Sequence, residues 1–175
     1  MRANQRREGL ARTGVPGLDD ILAGGLSAGH VFLLEGRPGT GKTTIALRFL
    51  LEGAQHDECG LYVTLSENER ELRAGAASHG WTVDGNIEVF EFVPPENLLN
   101  PDNGQSLLYS SDLELGETIK LITDKFDQIK PSRVVFDSLS EIRLLAQSSL
   151  RYRRQILALR TLRTITATQI RVASV

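Results

Sequence analysis

The sequence predicts an α/β fold in which a mostly parallel central sheet is flanked by helices. Short runs of apolar, β-preferring residues alternate along the chain with longer segments of helical periodicity, and this alternation is typical of parallel sheets. The chain has 175 residues, of which 41% are hydrophobic and 24% are charged, a composition that fits a globular domain. Ligands of such sheets bind at the carboxyl ends of the strands, so candidate functional residues are expected there.

The predicted elements start after a polar arm, residues 1–12, and belong to one domain, residues 13–175. The apolar run His30–Glu35 predicts a strand that is buried on both faces. The segment Ile87–Phe92 alternates apolar and acidic residues, which predicts a strand with one wet face near a sheet edge. Further strands are predicted at Leu61–Leu65, Arg133–Asp137 and Thr166–Val175, and helices at Lys42–Gly53, Glu69–His79, Leu113–Ile129 and Leu150–Leu162. A long loop is expected from Pro94 to about Ser111.

Charge and cysteine content disfavour several classes of function. The formal net charge of −2 gives no overall attraction to nucleic acid or to an anionic membrane. Cys59 is the only cysteine, so an internal disulfide is excluded and a reducing compartment is favoured. No stretch is apolar enough to span a bilayer, and the arm lacks the apolar centre of a signal peptide. We therefore expect a soluble cytoplasmic protein that has no contact with membranes.

A phosphate-binding loop is predicted between the first strand and the helix that follows it. The pattern Gly-x-x-x-x-Gly-Lys-Thr lets backbone N–H groups wrap a phosphate, and the helix N-terminus adds partial positive charge. Lys42 is expected to reach the β- and γ-phosphates, and the Thr43 hydroxyl to ligate Mg²⁺. The predicted nucleotide-binding residues are Gly36, Arg37, Pro38, Gly39, Thr40, Gly41, Lys42, Thr43 and Thr44.

Two acids follow predicted strands and would lie at the same edge of the sheet. Asp137 ends a buried strand and is expected to hold the magnesium shell, directly or through water; the alternative is a loop acid or a helix N-cap. Glu67 is a candidate general base for an attacking water. The alternative for Glu67 is a helix-start acid, with Ser66 as N-cap and Glu69 completing a capping box.

Several segments in order resemble the KaiC and RadA branch of the RecA-like ATPases. These are Thr13–Asp19 (Thr-Gly-Val-Pro-Gly-Leu-Asp), Gly24–Leu26, the phosphate-binding loop, Leu61–Glu67 and Val134–Ser140. The resemblance extends from about residue 11 to residue 160. The loop is common to the whole P-loop superfamily, whereas the opening segment is much more specific to this branch.

The resemblance implies a RecA-like P-loop NTPase fold, hydrolysis of ATP with Mg²⁺, and hexameric rings with ATP at the subunit interfaces. KaiC-like domains usually end the second strand with two adjacent glutamates, and here the pair is Ser66-Glu67. Glu67 therefore takes the catalytic role beside Lys42, and the missing first acid predicts altered turnover. Some relatives are serine/threonine autokinases, but the segment that carries their phosphorylated residues has no match here.

The C-terminal segment departs from the family pattern, because Thr161–Thr168 does not match the expected sequence. We expect a domain that is incomplete after about residue 160, either as a fragment or because its last residues derive from a shifted reading frame. Ring assembly and full catalysis would then be impaired.

Three functions remain open at this point. The first is a KaiC-like ATPase that acts in signalling or regulation through protein partners. The second is a RadA-like DNA-dependent ATPase of recombination and repair, which the net charge of −2 disfavours. The third is a nucleotide-binding interaction module with little turnover.

Overall fold

The computed structural model describes residues 9–91, 107–146, 148–150, 152–154, 157 and 168–174. Within them, strands and helices alternate as the sequence predicts. The strands are β1 (Leu10–Ala11), β2 (Leu26–Ser27), β3 (Val31–Gly36), β4 (Gly60–Thr64), β5 (Ile87–Glu91), β6 (Arg133–Asp137) and β7 (Thr168–Ser174). The helices are α1 (Pro16–Ile21), α2 (Lys42–Ala54), α3 (Glu69–Ser78), α4 (Leu107–Ile129) and α5 (Leu139–Ala146).

The central sheet has the strand order β3-β7-β6-β4-β5, and every pairing in it is parallel. The register places Thr64 beside Asp137, and Gly36 beside Ser174. The carboxyl ends of the strands therefore meet at one edge, where the predicted site residues lie. The predicted mostly parallel α/β fold is confirmed.

The core consists of two apolar layers, one on each face of the sheet. Tyr62, Val135 and Val172 point to one face, where α2 and α3 cover them with Leu47, Phe49, Leu50 and Leu72. Their sequence neighbours on β4 and β6 point to the other face, beneath α4 and α5. This alternation follows from the period of two in strand side chains, and it explains why β4 and β6 consist almost entirely of buried residues.

The first predicted strand differs from expectation, because it is not buried on both faces. β3 lies at the edge of the described sheet and pairs with β7 on one side. Val31 and Leu33 are 42% and 60% exposed, whereas Phe32 and Leu34 pack partly against the α2 layer. A continuous apolar run therefore predicts a strand but does not reveal whether helices cover both of its faces. β5 lies at the other edge of the sheet, and this position agrees with the prediction from its alternating sequence.

Two helix predictions need correction or lie outside the described residues, and two short helices were not predicted. α4 begins at Leu107, before the predicted start at Leu113, because no Gly or Pro follows Gly104 until Gly116. α1 and α5 were not predicted: α1 lies in a stretch that reads as turns, and α5 is short. Most of the predicted helix Leu150–Leu162 and of the predicted loop after Pro94 lies outside the described residues.

The N-terminal segment packs onto the domain. β1 pairs antiparallel with β2, and Ala11 is buried. The Asp19 carboxylate accepts hydrogen bonds from the backbone N–H and the hydroxyl of Thr13 at 2.7 and 2.8 Å, and the Arg48 side chain of α2 donates to the Gly14 carbonyl at 2.8 Å. These contacts tie the segment around α1 to the helix that follows the phosphate-binding loop. In the described part of the chain, every helix is too short or too polar to traverse a bilayer.

Candidate functional site

The predicted phosphate-binding loop connects β3 to α2 at the carboxyl edge of the sheet. Gly36 ends β3, and Lys42, Thr43 and Thr44 form the first turn of α2. Gly41 precedes the helix with φ at 84°, a left-handed conformation that favours glycine, and it offers no side chain to cap the helix. The first N–H groups of α2 are therefore not capped by a side chain from Gly41, which suits an anion.

The loop is closed by contacts among its own residues. The Thr40 hydroxyl donates to the Arg37 carbonyl at 2.8 Å. A Cβ at Gly36 would lie 2.8 Å from the Thr40 Oγ1 atom, so a larger residue there would displace the Thr40 hydroxyl. The Lys42 side chain is buried across the loop, and its Nζ donates to the carbonyl oxygens of Gly36 and Arg37, both at 2.9 Å. An ammonium group thus lies against the inside of the loop and has no carboxylate partner among the described ion pairs.

Thr43 and Asp137 are 94 residues apart in the sequence and in direct contact in the structure. The Thr43 hydroxyl donates to Asp137 Oδ2 at 2.9 Å. The contact forms because Thr43 lies in the first turn of α2, and α2 packs against β6, the strand that Asp137 ends. The structure therefore brings together the two residues that the sequence predicts as magnesium ligands.

A third residue, Tyr62 of β4, joins this pair and was not identified from the sequence. Its hydroxyl donates to the same Asp137 Oδ2 atom at 2.6 Å, and its side chain is only 1% exposed. Burial and, secondly, the negative charge of Asp137 raise the pKa of the Tyr62 phenol above its ordinary value. The phenol therefore remains a protonated donor. In the sequence, Tyr62 resembles any other apolar residue of a buried strand, and no pattern marks its hydroxyl.

Glu67 lies just beyond the carboxyl end of β4, in a turn that Thr64 stabilises. The buried Thr64 hydroxyl accepts from the Glu67 N–H at 3.1 Å and donates to the Glu67 carbonyl at 2.7 Å. Partial desolvation and then the negative charges of Asp137 and Glu71 raise the pKa of the Glu67 carboxyl. Glu67 is thus within electrostatic range of Asp137 while its side chain keeps contact with solvent.

The alternative interpretation of Glu67 as part of a helix cap on Ser66 is wrong. The N-cap of α3 is Asn68, whose side chain accepts from the Glu71 N–H at 2.9 Å, and Glu71 completes the capping box. Asparagine is favoured at an N-cap because its short side chain can accept a hydrogen bond from the N–H of the third helical residue. The cap begins one residue after Glu67, so helix capping does not occupy the Glu67 carboxylate.

The oxygen atoms at this edge are of the kind that Mg²⁺ prefers. Mg²⁺ is usually bound by one or two protein oxygen ligands together with substrate phosphates. The Thr43 hydroxyl donates its hydrogen bond to Asp137, which leaves the lone pairs of the hydroxyl oxygen for a cation. Among the described residues no group of three or more His, Cys, Asp or Glu side chains is placed to hold a metal. The donor set of Thr43 and Asp137 therefore fits a cation that is held jointly with a nucleotide.

Comparison with known proteins agrees with this geometry. The family model described as "ATPase: KaiC" matches residues 11–175. The circadian clock oscillator protein KaiC of Parasynechococcus marenigrum is 37% identical over 132 residues, which cover 74% of this chain and 25% of that protein. A UPF0273 protein of Pyrococcus horikoshii is 35% identical over 136 residues, which cover 75% of this chain and 55% of that protein.

The solved structure of a KaiC-like protein from Pyrococcus horikoshii superimposes with a TM-score of 0.76 at 31% identity, over 95% of this chain and 72% of that one. The chain spans about a quarter of the length of the clock protein and about half of that of the UPF0273 protein. The family match, the strand order and the loop between β3 and α2 lead to the same assignment. The chain belongs to the KaiC family of RecA-type, ATP-binding ATPase domains.

Proposed function

We propose that this chain binds ATP with Mg²⁺ through Gly36–Thr44 and Asp137 and hydrolyses it with Glu67 as general base. The observation that carries the proposal is the contact between Thr43 and Asp137 at 2.9 Å beside an uncapped helix N-terminus. This contact supports a metal-assisted phosphate site because it brings a hydroxyl and a carboxylate oxygen together beside the loop that would hold the phosphates.

Lys42 supplies the positive charge of the proposed site. Its Nζ bonds to two loop carbonyls, which are neutral acceptors. A phosphate is a stronger acceptor for an ammonium group than a carbonyl is. Lys42 therefore exchanges these carbonyls for the β- and γ-phosphate oxygens when ATP binds, and the first N–H groups of α2 bind the same anion.

Thr43 and Asp137 form the proposed metal end of the site. Mg²⁺, when bound, offsets the negative charge that develops on the β,γ-phosphates. Thr43 offers a hydroxyl oxygen to the cation, and Asp137 offers a carboxylate, directly or through a water molecule. Because their mutual hydrogen bond is already formed, both groups are oriented before the ligand binds.

Glu67 accepts the proton of the attacking water in this proposal. Desolvation and then the negative charges of Asp137 and Glu71 raise the pKa of Glu67, which increases the proton affinity of its carboxylate. The turn held by Thr64 fixes the backbone of Glu67 at the end of β4. The base and the metal-binding acid thus come from adjacent strands.

Paired variants test the proposal. Lys42→Ala is expected to lose binding of a fluorescent ATP analogue in the presence of Mg²⁺, because it removes the ammonium group that lies against the inside of the loop. Glu67→Gln is expected to keep binding and to lose steady-state hydrolysis by at least about 100-fold. Undiminished binding by Lys42→Ala, or wild-type turnover by Glu67→Gln, would contradict the proposal.

A nucleotide-binding module with little turnover is the second candidate, and Ser66 is the observation that favours it. Ser66 stands where KaiC-like domains usually carry a first acid. An intrinsic turnover near zero that single-stranded DNA does not raise, together with tight ATP–Mg²⁺ binding, would favour the module. Turnover that rises with single-stranded DNA would instead support a RadA-like activity.

Assembly and biological role rest on the resemblance alone. We propose a homo-oligomeric ring, a hexamer by resemblance, that acts in the cytoplasm through protein partners in signalling or regulation, as the name of the clock relative suggests. Size-exclusion chromatography with and without ATP tests the ring. A monomer under both conditions would contradict it.

A further inference from the structure

Two hydroxyl donors from different elements converge on one oxygen of Asp137. Thr43 approaches from α2 at 2.9 Å, and Tyr62 approaches from β4 at 2.6 Å; both donate to Oδ2. Two hydrogen bonds to the same oxygen from separate elements restrict rotation of the carboxylate more than either bond alone. The orientation of Asp137 is therefore determined by three elements of the fold.

The register of the sheet explains how Tyr62 reaches Asp137. Tyr62 lies beside Val135, and Asp137 is two residues further along the same face of β6. The side chain of Tyr62 is long enough to extend along this face under α2, and it is packed into the apolar layer there. Since packing fixes the ring, the hydroxyl is held at one point beside Asp137.

Both donors are neutral, so they stabilise the carboxylate without cancelling its charge. Asp137 is 7% exposed, and it takes part in none of the ion pairs of the described residues. A buried carboxylate needs hydrogen bonds to replace the water that burial removes. A lysine or arginine in place of Tyr62 would supply them but would also repel a metal ion, whereas a phenol supplies them and leaves the negative charge available.

We propose that Tyr62 is a positioning residue that holds the Asp137 carboxylate, beside the Thr43 hydroxyl, in the orientation that binds a divalent cation together with the nucleotide. This inference rests on the proposed function and adds to it a residue that touches neither nucleotide nor metal. Tyr62 acts on the metal end of the site only, because Lys42 and the helix N-terminus bind the phosphates independently.

The test separates the two ends of the site by titrating Mg²⁺. A fluorescent ADP analogue is bound to the wild-type chain in EDTA and then at increasing Mg²⁺ concentrations. Tyr62→Phe removes one hydroxyl and keeps the ring. We expect unchanged affinity in EDTA and a Mg²⁺ requirement that rises about tenfold, the order expected for losing one hydrogen bond to a charged group. Tyr152→Phe, a partly buried tyrosine on the opposite face of the sheet, is the matched control and is expected to titrate like wild type.

The affinity in EDTA also shows that the Tyr62→Phe chain is folded, since an unfolded chain has no phosphate-binding loop. A Mg²⁺ requirement equal to that of wild type would overturn this inference while the proposed function stands. A loss of affinity in EDTA equal to the loss in Mg²⁺ would also overturn it, because Tyr62 would then support the whole fold. Wild-type binding that is indifferent to Mg²⁺ would overturn the proposed function, and this inference with it.

Discussion

The two ends of β6 each bury an ion, and they compensate its charge in different ways. At the amino end, Arg133 is 3% exposed and donates to the Glu58 carboxylate. The same guanidinium donates to the carbonyls of Arg12 and Phe49 at 2.6 and 2.8 Å and lies over the Phe49 ring at 4.7 Å. At the carboxyl end, Asp137 has the two hydroxyl donors Tyr62 and Thr43.

This difference is the one expected between a structural ion and an ion that is prepared for a ligand. Arg133 is neutralised by an anion, and its hydrogen bonds join β6 to α2, to the loop before β4 and to the residue after β1. The Asp137 carboxylate accepts instead from two neutral hydroxyls. Burial is common to both ions, so we use the charge of the hydrogen-bond partners to separate their expected roles. Variants at the two ends of β6 test whether this difference in roles is real.

Removal of the structural ion is expected to have the largest effect on stability. Arg133→Met keeps the apolar stem but leaves two carbonyls and Glu58 without their donor, so the free energy of unfolding should fall by roughly 3 kcal/mol. Urea unfolding followed by circular dichroism measures it. Arg73→Met is the control, because the exposed pair of Arg73 and Glu69 should contribute less than about 1 kcal/mol. Equal losses for the two variants would refute the structural role of Arg133.

Removal of the charge at the other end is expected to separate stability from binding. Asp137→Asn keeps an oxygen for Tyr62 and Thr43 but removes a buried charge that has no ion-pair partner among the described residues, so stability should change by less than about 1 kcal/mol. The Mg²⁺ requirement for nucleotide binding should rise by roughly 10- to 100-fold. Asp124→Asn, on the exposed side of α4, changes the net charge equally and controls for it. A large loss of stability without a change in Mg²⁺ dependence would mean that Asp137 is a structural ion as well.

Two glycines in helices test how tightly the Arg133 side chain is packed. A Cβ at Gly53 of α2 would lie 2.5 Å from Arg133 Cδ and Nε, whereas a Cβ at Gly75 of α3 would meet nothing within 4 Å. Gly53→Ala should therefore destabilise by about 1–3 kcal/mol through overpacking. Gly75→Ala should stabilise by about 0.5–1 kcal/mol, because alanine favours the helix. Thermal or urea unfolding measures the stability of both variants. If both substitutions stabilise the protein, the Arg133 side chain moves aside easily and is not tightly packed.

The sequence predicted the parts of the site that local rules encode. The phosphate-binding loop is contiguous, and its glycines, lysine and threonine have roles that follow from their spacing. Asp137 was predicted because acids after parallel strands meet at one edge, and the register of β4 and β6 bears out that geometry. The roles of Lys42, Thr43, Asp137 and Glu67 in catalysis or metal binding stay predictions.

The remainder depends on strand order, which no local pattern reveals. Tyr62 contacts Asp137 because β4 lies directly beside β6, and a tyrosine in an apolar run otherwise predicts only a packed ring. Arg133 begins its strand and would ordinarily face solvent, yet the crossing of α2 at Gly53 covers it. The exposed face of β3 was missed for the same reason, since coverage by helices is a property of the whole sheet.

The smallest expected effect concerns Thr64. Its hydroxyl contacts Glu67, the proposed base, as the Tyr62 hydroxyl contacts Asp137, the proposed metal-binding acid. Both side chains lie on the same face of β4, but the Thr64 hydroxyl bonds to the backbone of Glu67 rather than to Asp137. Thr64→Val preserves the branched shape and removes these bonds, so kcat should fall about fivefold, equivalent to roughly 1 kcal/mol. KM and the Mg²⁺ requirement should not change, which steady-state ATPase assays over ATP and Mg²⁺ concentrations measure. Thr82→Val, at an exposed position, is the control. A shifted Mg²⁺ requirement with constant kcat would instead mean that Thr64, like Tyr62, supports Asp137. The expectation that Thr64 supports Glu67 would then be wrong.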